Sequence, residues 1–87
     1  MTASDRLAEA GYEDVLIFEN PRYDDALVGV TEDNRAVYDF DKMVRWLRKH
    51  DGLSCEDAVE FIEYNTIRAL PYYGNMAPVV LYRLEIQ

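Results

Sequence analysis

Eighty-seven residues carry 17 acidic against 9 basic side chains, a formal charge of −8, with 49% of residues hydrophobic and 30% charged. That is the composition of a folded chain, and its length sets one domain, residues 1–87, around one core. The acid excess opposes binding to nucleic-acid phosphates or anionic lipid, which clustered Lys and Arg normally supply. No apolar run approaches the roughly 20 residues of a membrane span.

The first predicted element is a short helix over Ser4–Ala10, with Ser4 as N-cap and Gly11 as its stop. Asp14–Glu19, with Val15, Leu16, Ile17 and Phe18 at its centre, predicts a strand that ends at the turn signal Asn20-Pro21. Ala26–Thr31 and Arg35–Tyr38 predict two further strands joined as a hairpin through Glu32-Asp33-Asn34. Asn34 suits a positive φ there, and Gly29 inside its strand signals a bulge or a close neighbour.

The period changes at Asp39. Phe40, Met43, Val44 and Leu47 fall at i, i+3, i+4 and i+7, one helical face. Asp39 is its N-cap, Trp46 covers a flank, Arg45, Arg48, Lys49 and His50 suit the dipole's negative end, and Gly52 stops it. Ser54 with Asp57 resembles a capping box opening a second helix. Its apolar face is Cys55, Ala58, Val59, Phe61 and Ile62, and Pro71 ends it. Pro78–Glu85 predicts a closing strand. The expected fold is α+β: a short N-terminal helix, a three-stranded antiparallel meander, two helices on one face, and a C-terminal strand completing the sheet.

Residues suited to catalysis are few. Cys55 lies in a helix's first turn and His50 is five residues upstream, so a Cys/His nucleophile pair is the best enzyme reading. The competing expectation is a small buried apolar cysteine. With one His and one Cys, a zinc site of the usual ligands is nearly excluded, and Asp39-x-Asp41 lacks the remainder of a calcium loop. There is no phosphate-binding glycine loop and no Gly-x-Ser-x-Gly elbow. The expectation is no catalytic residue, no metal and no cofactor. One cysteine and a first segment without a basic-then-apolar order point to a cytoplasmic setting.

Seven tyrosines are the more unusual feature. Tyr64, Tyr72 and Tyr73 group with Arg68 near the end of the second helix, a candidate surface for a protein partner. Glu56, Glu60 and Glu63 recur at i, i+4 and i+7 as a candidate acidic strip. With Asp24, Asp25, Glu32 and Asp33 it would mimic a nucleic-acid backbone towards a basic protein. The alternative to both is sealing of the core edge by half-buried tyrosines and a solvated acidic face. A third reading is self-assembly, as a homodimer through the edge strand Val79–Leu84.

The run from Leu27 to Met43, through Val28-Gly29-Val30-Thr31-Glu32-Asp33-Asn34-Arg35-Ala36-Val37-Tyr38-Asp39, followed by Asp57 to Tyr72, carries a resemblance. It is similar to a group of small proteins of phages, prophages and mobile elements of gut bacteria. The likeness covers residues 15–84. It implies only a bacterial or phage cytoplasmic setting; the group has no known activity, so no functional residue transfers. The resulting expectation is a small acidic, non-enzymatic interaction protein that binds a bacterial or phage protein.

Overall fold

Alternating residues around Glu32-Asp33-Asn34 form the hairpin that the sequence predicts. The computed structural model describes residues 1–84. In it β1 (Leu27–Val30) pairs antiparallel with β2 (Ala36–Asp39). Thr31 N–H donates to the Arg35 carbonyl at 2.8 Å to close the turn, and Asn34 takes φ 65°. The register slips between Leu27 and Gly29, an irregularity of the ladder beside the glycine, and no neighbour comes within 4 Å of where a Cβ at Gly29 would lie.

The third strand is β3 (Val79–Leu81), and it runs parallel to β2, in the order β1-β2-β3. The α+β class holds, but among the described residues the sheet is mixed and has three strands, not an antiparallel meander plus a fourth. The predicted strand Asp14–Glu19 joins no ladder. Its residues still serve the core: Phe18 is buried and Val15 and Ile17 pack on the cluster. Phe18 donates its backbone N–H to the Tyr38 hydroxyl at 3.2 Å, a side chain in place of a strand partner. The predicted closing strand Pro78–Glu85 is shorter in fact, since pairing runs only from Val79 to Leu81, and Glu85 lies outside the described residues.

Helix α1 (Ala3–Glu9) has its N-cap two residues before the predicted Ser4. Thr2 is its N-cap and forms a reciprocal capping box with Asp5. Helix α2 (Phe40–Asp51) follows the sequence expectation closely. The Asp39 carboxylate accepts from the Lys42 N–H at 3.1 Å, and Gly52 takes φ 69°, the left-handed cap that glycine adopts without a Cβ penalty. Met43, Val44 and Leu47 are buried and Trp46 covers a flank. Truncating Leu47 to Ala should cost about 2–5 kcal/mol, the usual range for an aliphatic core deletion.

Helix α3 (Cys55–Phe61) is capped by Ser54, whose hydroxyl accepts from the Asp57 N–H at 3.1 Å. It then widens into a π-helical stretch, Ile62–Ile67. Two tight 3-10 turns span Leu70–Met76 and break at Gly74, φ 80°. The core where these elements meet is aromatic. The Phe18 ring lies 4.6 Å from Tyr38, 5.6 Å from Tyr23 and 6.0 Å from Tyr73, the last two edge-on. Each such pair adds about 0.5–1.5 kcal/mol beyond area burial. Among the described residues no buried side-chain N or O lacks a hydrogen-bond partner. No helix among them is long and apolar enough to cross a membrane.

Candidate functional site

The four residues proposed as one binding surface separate into three environments. Tyr64 is 59% exposed and Tyr72 91% exposed. Arg68, one helical turn beyond Tyr64, places its guanidinium 4.9 Å from the Tyr64 ring centroid, a cation–π contact on the surface. Tyr73 departs from the group. It is half-buried and packs edge-on against Phe18, so it belongs to the core margin. Adjacent residues in a 3-10 turn point in different directions, and only Tyr73 meets Phe18. The usable surface is therefore Tyr64 with Arg68, and Tyr72.

The acidic strip is solvent-facing, with Glu56, Glu60 and Glu63 all exposed. Its proposed loop additions do not extend it as a set. Asp24 is buried and committed: one oxygen accepts from the Ala3 N–H at 2.9 Å at the start of α1, and Arg22 reaches the other at 3.1 Å. Asp25 is exposed but borders a cleft with Lys42, Arg45 and Lys49, a cationic neighbourhood.

Cys55 is exposed, not the small buried residue of its helical stripe. It is the first residue of α3 and lines a cleft of about 370 Å³ with Asp41, Val44, Arg45, Arg48 and Arg83. His50 is not brought to it. Its ring stacks on Trp46, centroids 3.6 Å apart, and its Nδ1 lies 3.0 Å from the Trp46 carbonyl. Among the described residues no hydrogen bond links the two, and no group of three or more His, Cys, Asp or Glu is placed to hold a metal ion.

The edge strand proposed for self-pairing is only three residues long. Beyond it the chain turns to side-chain contacts: Tyr82 stacks on Phe40 at 4.8 Å, and Arg83 pairs with the buried Asp39 at 2.6 Å. A short edge is a poor template for strand addition.

Sequence reasoning missed one grouping. Lys42, Arg45, Trp46 and Lys49 sit at i, i+3, i+4 and i+7 along α2 and share a cleft with Asp25. The spacing is visible in the sequence, but Arg45 and Lys49 read there simply as complements to the helix dipole and Lys42 does not stand out. No family model matches the chain, and no curated protein and no solved structure matches it either.

Proposed function

We propose that this chain is a small, acidic, non-enzymatic interaction domain that binds a protein partner through Tyr64, Arg68 and Tyr72. The supporting observation is the exposed Arg68–Tyr64 pair, with Tyr72 almost wholly in solvent. Three large side chains spend their area outside a core that is already aromatic and satisfied. Tyrosine and arginine are the residue types that carry most energy at protein interfaces, because they combine apolar area with hydrogen-bonding tips. The separation of Cys55 from His50 favours binding over nucleophilic catalysis. The resemblance of residues 27–43 and 57–72 to phage and prophage proteins supports a partner in the bacterial cytoplasm.

The test is photo-crosslinking from position 72 in cells of the producing bacterium, with position 32 on the hairpin as control. A discrete adduct from position 72, competed by wild-type protein but not by a Tyr64→Ala/Arg68→Ala variant, supports the reading. Equal adducts from both positions, or none from 72, overturn it.

A further inference from the structure

Net charge is a far-field property, and this chain reverses it locally. Lys42, Arg45, Arg48 and Lys49 are four of nine formal cations, all on the twelve residues of α2. The ion pairs among the described residues are Arg22–Asp24 and Arg83–Asp39, so none of the four helix cations is matched. At physiological ionic strength charges are screened beyond about 8 Å. An anion at α2 therefore meets four cations against the helix's own Asp41 and Asp51, a local excess of positive charge.

Three of the four cations, Lys42, Arg45 and Lys49, line one cleft of about 240 Å³ with the Trp46 indole and Asp25. Asp25 comes from the separate 3-10 turn Asp24–Ala26, so two parts of the chain build the walls. The indole is backed by the parallel His50 ring, tilted by 24°. Stacking braces Trp46 as a fixed planar surface.

This lining discriminates between anions. Three cations call for phosphate or carboxylate. The indole calls for a flat ring. Asp25, an acceptor when ionised, calls for a ligand that also donates N–H or O–H. Bare phosphate offers no ring, and a run of Asp or Glu side chains would set its carboxylates against Asp25. A nucleotide offers all three features: phosphate, planar base, and hydroxyl or exocyclic amino donors. We propose that this cleft binds a nucleotide, with Lys42, Arg45 and Lys49 on the phosphate, the base against Trp46, and Asp25 accepting from the sugar or base. The volume lies below the roughly 300–1,000 Å³ of most ligand pockets. Part of the nucleotide stays in solvent, and affinity is modest. A longer strand should bind no more tightly, because the chain's net charge of −8 repels its further phosphates.

Trp46 is the only tryptophan, so its indole N–H gives one isolated resonance in a nitrogen–proton correlation spectrum. The experiment titrates the whole protein with AMP, adenosine, inorganic phosphate, a ten-residue thymidine oligonucleotide and a hexaglutamate peptide. Expected are saturable shifts of the Trp46 indole and the Asp25 and Lys49 amides with AMP. Phosphate and adenosine should each bind about tenfold more weakly, a difference of about 1.4 kcal/mol. Lys42→Ala/Lys49→Ala, and independently Arg45→Gln, should weaken AMP at least about tenfold while core resonances stay in place. Equal shifts with phosphate would mean an adventitious ion only and would overturn the proposal. So would a linear, unsaturated response to AMP up to about 10 mM. Tighter binding of the oligonucleotide or of hexaglutamate overturns it in favour of a polymer or peptide surface.

Discussion

The hydroxyls of Tyr23 and Thr66 meet at 2.6 Å inside the core, joining a loop residue to the π-helical stretch 43 positions later. Tyr23 is fully buried and sits at φ 48°, a left-handed conformation uncommon for a large side chain, and so depends on its surroundings. Thr66→Val leaves the Tyr23 hydroxyl buried without this partner and should cost about 1–3 kcal/mol. Tyr23→Phe should cost less, because a threonine hydroxyl can turn to a backbone carbonyl of its own helix. The double variant should be less destabilised than the two losses added. Urea unfolding of the four proteins measures this coupling; simple additivity would show that the contact carries no energy of its own.

Alkaline pH should unfold the domain through Tyr38. Burial pushes its hydroxyl up to about 12, although the bond from the Phe18 N–H works the other way. Burial raises Tyr23 as well. In the unfolded chain tyrosine ionises near 10. A group whose folded pKa is raised lends its full stability below pH 10 and loses it as pH climbs from about 10 towards about 12. Urea midpoints followed by circular dichroism should therefore hold steady to about pH 10 and fall above it. The phenolate absorbance of Tyr38 should appear together with unfolding.

Acid should act through Asp39. Burial pushes this carboxyl up, but the Lys42 N–H and the Arg83 guanidinium outweigh that and hold it below its ordinary value. Its stabilising effect is thus present above the ordinary carboxylate range and is lost as pH falls through the lower folded value. Arg83→Ala should move the acid-unfolding midpoint to higher pH and cost about 1–3 kcal/mol near neutrality. Asp39→Asn keeps an N-cap acceptor, whereas Asp39→Ala loses it, so alanine should be worse by about 1 kcal/mol. Equal stabilities for the two would place Asp39's role wholly in the Arg83 pair.

Cys55 should react in the native state. It is exposed and lines a cleft where Arg45, Arg48 and Arg83 outnumber Asp41, which gives an anionic aromatic disulfide reagent access. One equivalent of thiolate should be released without denaturant, with salt slowing the rate. Labelling that waits for urea would mean that the cleft is closed in solution.

Local physics made α2 legible. Its cap, stripe and stop all lie within a few residues of Asp39, Leu47 and Gly52, and no distant contact overrides them. The hairpin was legible for the same reason, down to Gly29 and Asn34. Asp14–Glu19 was not, because apolar content reports burial and says nothing of where backbone groups bond; Phe18 bonds to a side chain. The partner of Val79–Leu81 was equally hidden, since pairing with β2 is settled by helices packed between them in sequence. The same limit applies to the site. Nothing local distinguishes Tyr72 from Tyr73, and Phe18, far away in sequence, separates them.

The parallel pairing of β2 with β3 also sets an order of events. Those strands are joined through residues 40–78, and closure entropy grows by about 0.6 kcal/mol with each doubling of loop length. The hairpin closes early and cheaply, but two strands alone are marginal in water. The third strand can seat only once α2 and α3 have drawn the ends of that long loop together. Amides of Val79–Leu81 should then exchange with solvent at the same rate as those in the centre of α2, as one cooperative unit. The smallest strand would thus report on the integrity of the whole molecule.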